Sequence, residues 1–68
     1  MKRDYLKLET ITIYGKVRMT NTFCSFTNAY KAYLNEIEKR IKIDESVIIT
    51  LYEIYDNGSQ IDYKHCQL

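Results

Sequence analysis

This chain of 68 residues has no proline, no tryptophan, two glycines, two cysteines and one histidine. Each shortage removes a class of protein. Gly15 and Gly58 stand far apart, so no glycine-rich loop is present to cradle a phosphate. Cys24, His65 and Cys66 are the only soft metal ligands. A structural zinc site takes about four ligands, and neighbours such as His65 and Cys66 point to opposite faces of a strand. No metal and no cofactor is therefore expected. Cys24 and His65 have no third group to orient them as a nucleophile and its base. The carboxylates of Asp44 and Glu45, and of Asp56 and Asp62, fall in turns or at strand ends, where solvation is their ordinary state. With little room for a pocket, the expectation is that the chain is not an enzyme.

Charge and hydrophobic length exclude more. Ten basic residues against nine acidic ones give a formal charge of +1, too balanced to draw the chain to nucleic acid or a membrane by itself. A membrane span would need about 20 apolar residues, and none of that length occurs. The amino-terminal residues carry no apolar run of the kind a signal peptide needs. The expected compartment is a cytoplasm (the host's, for a viral product), where both cysteines would be reduced thiols.

What the chain does contain is 46% hydrophobic residues and seven tyrosines, which argues for a folded core. The length allows one domain, 1–68. A chain this short buries only about 60% of its unfolded surface, so oligomerisation is a common supplement.

Residues 47–68 read as a β-hairpin. A run rich in β-branched and aromatic residues, Val47 to Tyr55, is followed by Asp56-Asn57-Gly58-Ser59 and a second alternating run. With Asn57-Gly58 as a two-residue turn, Ile54 faces Ile61, Tyr52 faces Tyr63 and Leu51 faces Lys64. Tyr52, Ile54, Ile61 and Tyr63 then form one apolar patch, the candidate protein-interaction surface. The same register sets Glu53 against Asp62, an unfavourable pair.

Upstream, Ile11, Ile13, Gly15, Val17 and Met19 alternate with Thr10, Thr12, Tyr14, Lys16 and Arg18. One bent strand with a bulge at Gly15 is the preferred reading. A hairpin turning at Gly15 is the other. Leu6 and Leu8 have the opposite parity to Ile11 and Ile13, so burying all four requires a register change near Glu9. Between these segments Phe26, Tyr30, Tyr33, Leu34, Ile37 and Ile41 recur at helical spacing and predict an amphipathic helix over 27–42. Ser25, Thr27 or Asn28 would cap it. Glu36–Arg40 and Glu38–Lys42 fall at i,i+4 in the favourable order.

The expected fold is α+β, β-α-β-β: one helix on a three-stranded, mainly antiparallel sheet, or ββαββ with a hairpin at Gly15. The expected function is protein binding, with itself and with an unidentified protein target. Small size and the lack of any motif suit a phage or mobile-element accessory protein that inhibits a host macromolecule by contact. The competing expectation is single-stranded DNA or RNA binding through Thr12, Tyr14, Lys16 and Arg18 with the sheet tyrosines, since stacking rings beside cations hold single strands.

Overall fold

The computed structural model describes residues 2–68. Its elements are β1 (Arg3–Thr12), β2 (Val17–Phe23), α1 (Phe26–Lys42), β3 (Val47–Tyr55) and β4 (Gln60–Gln67). The strands form one antiparallel sheet in the order β2-β1-β3-β4, with α1 across one face. This is the ββαββ form of the expected α+β fold. The stretch around Gly15 is a turn between two strands, and the one-strand reading does not hold.

Both hairpins are built alike, and both turns are one residue longer than a two-residue turn. Thr12 N–H donates to the Lys16 carbonyl (2.8 Å) and Gly15 N–H to the Thr12 carbonyl (2.9 Å). Tyr55 N–H donates to the Ser59 carbonyl (3.0 Å) and Gly58 N–H to the Tyr55 carbonyl (2.9 Å). The loops are thus Ile13-Tyr14-Gly15 and Asp56-Asn57-Gly58. Each ends on a glycine at φ 85°, where a side chain would be strained.

This loop length corrects the expected register of the second hairpin. Near the turn Ile54 pairs with Gln60, Glu53 with Ile61 and Tyr52 with Asp62. Neither the Ile54–Ile61 nor the Tyr52–Tyr63 pair exists, and Glu53 does not meet Asp62. A bulge then absorbs one residue, Tyr63, so that Leu51 pairs with Lys64 as expected. The first hairpin carries a matching bulge: Thr10 pairs with Met19 and Ile11 with Val17, leaving Arg18 as the extra residue.

Leu6, Leu8, Val47, Ile49 and Leu51 form the sheet's contribution to the core, with Ala29 and Tyr33 from the helix. In β1 the alternation Leu6, Leu8, Thr10 continues without a break. Thr10, expected on the polar face of this run, is fully buried, and Ile13, expected on its apolar face, is exposed in the turn. No register change near Glu9 occurs, because Ile11 and Ile13 are not on the core side.

The helix is rotated from its expected setting. Its buried face is Ala29, Tyr33, Glu36 and Arg40. Leu34 and Ile41, expected in the core, are 49% and 59% exposed. The reason is the i,i+4 pair. The Glu36 carboxylate accepts from Thr10 Oγ1 (2.6 Å) and Arg40 Nε (2.8 Å), while Arg40 Nη1 donates to Glu45 Oε1 (2.6 Å). Glu45 Oε2 in turn lies 3.2 Å from Arg18 Nη2. A buried charge is tolerated when it is paired and hydrogen-bonded. Burial acts to raise the Glu36 carboxyl, but the hydrogen bonds from Thr10 and Arg40 outweigh it and hold it below the ordinary value. Five side chains thereby join β1, β2, α1 and the α1–β3 turn.

The helix ends support this placement. Ser25 caps the start, its Oγ accepting from Asn28 N–H (3.4 Å). Lys39, Arg40 and Lys42 occupy the last turn, where the helix dipole favours cations. Just beyond that turn Asp44 N–H reaches the Ile41 carbonyl (3.0 Å) and Glu45 N–H the Arg40 carbonyl (3.1 Å). This is a Schellman closure with Asp44 at φ 54° where glycine is usual. It aims Glu45 back at Arg40.

Candidate interaction surface

The helix lies over β3, β1 and β2 and leaves most of β4 uncovered. Every residue of β4 except Cys66 is exposed, although one side of the strand faces the helix layer. Two contacts fix that side. Tyr63, carried by its bulge, meets the Phe26 ring edge-on at 5.3 Å between centroids. Lys64 Nζ sits 5.6 Å from the centre of the Tyr30 ring. The start of α1 therefore meets β4 through Phe26 and Tyr30, and by helical spacing Leu34, Ile37 and Ile41 continue the flank that Tyr30 begins. That flank and the helix-facing side of β4 make up the trough: apolar side chains on two neighbouring elements, of which Leu34, Ile41, Ile61 and Tyr63 are exposed while Cys66 and Leu68 are partly buried against the core.

The trough is apolar because the rotation that buries Glu36 and Arg40 turns Leu34 and Ile41 outward. At the amino-terminal end of this flank Tyr30 lies between Phe26 (5.8 Å) and Tyr33 (6.0 Å). Tyr33 is buried, and burial above all raises its phenol above the ordinary value, with Cys66, Tyr30 and Asp62 adding to the shift. The rim is an edge strand, whose outer N–H and C=O groups are open to another chain.

The four residues of the expected patch do not share a surface. Ile61 and Tyr63 lie on the helix side, 44% and 47% exposed. Tyr52 and Ile54 alternate with the core residues of β3 and so face the other side of the sheet. There Ile54 is 9% exposed, and Tyr52 is half-buried with Lys7 Nζ 5.0 Å above its ring. Lys7 also donates to Gln60 Oε1 (2.8 Å). What the sequence reading missed is the helix flank. Its signal was available in the spacing Ala29, Tyr33, Glu36, Arg40, which matches a helical face as well as the apolar stripe does.

The nucleic-acid candidates are dispersed around the first turn. The Thr12 hydroxyl accepts from Tyr14 N–H (3.3 Å) and Lys16 N–H (3.0 Å) and so belongs to the loop. Tyr14 projects from the tip at 91% exposure, and Arg18 is engaged by Glu45. Among the described residues no group of three or more histidine, cysteine or acidic side chains could hold a metal ion. His65 pairs with Asp62 (2.9 Å) on the exposed strand, and Cys24 and Cys66 are free thiols. Cys24 borders an open depression of about 490 Å³ with Asp4, Tyr5, Thr22 and Phe23. Among the described residues no helix is long and apolar enough to cross a membrane.

The chain matches no known family model, no curated protein and no solved structure.

Proposed function

We propose that this protein is a protein-binding module that assembles with itself and acts on a protein target by contact, as an accessory protein of a phage or mobile element would. The supporting observation is the trough. Leu34, Ile41, Ile61 and Tyr63 stay between 44% and 59% exposed beside an edge strand, in a domain with few apolar residues to spare. Exposed apolar surface with a polar rim marks interaction sites on small soluble domains. Strand edges supply the backbone groups for pairing, and apolar side chains supply the affinity.

Leu34→Asp with Ile41→Asp tests this directly. Both positions are half exposed, so circular dichroism should show an intact fold. Light scattering should show that assembly present in the parent chain is lost. If the variant associates as the parent does, the trough is not the binding surface.

A second reading, single-strand binding on the open sheet face, draws on the Lys7–Tyr52 stack and the nearby Tyr5. Its distinguishing outcome is a partner that nuclease treatment removes.

A further inference from the structure

We infer that the partner of β4 is the β4 of a second copy, paired antiparallel about a two-fold axis at Cys66, so that two four-stranded sheets become one of eight strands. This rests on the reading of the trough as a protein-binding surface and assigns its occupant.

The backbone determines which residues can pair outward. Leu68 N–H donates to the Val47 carbonyl (2.9 Å), so Leu68 turns its backbone inward toward β3. In an antiparallel ladder this alternates, so Cys66 and Lys64 also turn inward while His65 and Gln67 present N–H and C=O to the outside. These two outward residues are placed symmetrically about Cys66. A two-fold axis there joins His65 to Gln67 of the second copy and Gln67 to its His65, giving four backbone hydrogen bonds.

Side chains select the same axis. An axis at Lys64 would oppose two ammonium groups, which is unfavourable across a strand pair. An axis at Cys66 opposes Lys64 to Leu68 and His65 to Gln67, with no like charges facing. Pairing about this axis lays residues 64–68 of the two copies side by side.

The axis makes a chemical prediction. Facing residues that share no ladder hydrogen bond have Cα atoms about 4.5 Å apart, inside the range of about 4.4–6.8 Å that a disulfide spans. In a Cys24→Ser background, diamide should therefore convert the two Cys66 thiols into an interchain disulfide. It takes up the two electrons and two protons released. Full-length covalent dimer should appear at low micromolar chain and vanish with Cys66→Ser. Gln67→Pro supplies an independent arm. The Gln67 N–H points outward, so proline leaves the β3–β4 ladder intact, as on natural edge strands. It should leave the thermal midpoint near that of the parent and raise the dimer dissociation constant at least tenfold.

A non-covalent dimer that diamide does not cross-link, or one that Gln67→Pro leaves unchanged, would overturn β4 pairing and leave self-assembly through the trough standing. A chain that stays monomeric at high concentration would overturn both.

Discussion

Replacing Arg40 by Met would leave the Glu36 carboxylate buried with only the Thr10 hydroxyl to hold it. Methionine keeps most of the aliphatic stem, so the loss is electrostatic rather than one of volume. The two side chains are 6% and 7% exposed and 2.8 Å apart. Removing one member of such a pair costs about 3–5 kcal/mol. The lower end applies here, because Thr10 still donates to the carboxylate. A domain of this length has roughly 3–10 kcal/mol of stability in all, at about 0.05–0.15 kcal/mol per residue. Arg40→Met should thus lie near the edge of folding. With a urea m-value of about 1 kcal/mol/M for a small domain, the midpoint should fall by about 3 M at unchanged slope. The triple change Thr10→Val, Glu36→Leu, Arg40→Met removes the polar cluster together and should recover most of that loss, as apolar replacement of a buried pair often does. Urea melts followed by circular dichroism on the parent, single and triple variants carry the test. A midpoint shift below about 0.5 M for Arg40→Met would mean a solvated pair and a helix turned to its apolar stripe. The rotation described above, and the trough that depends on it, would then be wrong.

Other consequences follow from the same placement. Leu34→Ala should cost under about 1 kcal/mol, whereas Leu8→Ala, at a fully buried position, should cost about 2–5 kcal/mol in the same melts. Asp44→Gly should stabilise by up to about 1 kcal/mol, since glycine occupies the left-handed helix-end position without strain; a loss of stability would show that Asp44 has a contact role. Glu36 titrates below its ordinary 4.5 in the folded state, so its contribution is fully present above that pH. It is lost as pH falls through the lowered folded value, and a melt series from pH 6 to 2 should show the parent declining more steeply than Glu36→Gln. Tyr33 shifts the opposite way, so its contribution holds below pH 10.0 and is lost as pH rises through the raised folded value; Tyr33→Phe should flatten that alkaline decline.

The helix and the second hairpin were legible in the sequence, because each rests on a local pattern: a 3.6-residue period after a serine cap, and β-branched runs around Asn57-Gly58. The features that shape the site were not, for identifiable reasons. Asn-Gly serves a two-residue turn and the end of a three-residue turn alike, since both need positive φ at Gly58. One residue of difference moved Tyr63 away from Tyr52. Around Gly15 the period-2 pattern runs through the turn, because Ile13 and Tyr14 occupy loop positions with apolar side chains. Glu36 and Arg40 looked like a surface pair, as i,i+4 ions usually are. Only Thr10, distant in sequence, and Glu45, returned by the Schellman turn, make them a core pair. The exposed helix flank follows from that non-local closure.

Sedimentation equilibrium of the parent chain over a wide concentration range tests self-assembly through the trough most directly. The account predicts a mass rising from 8.2 kDa to twice that value by micromolar concentration. A single species of 8.2 kDa at the highest concentration reached would contradict it.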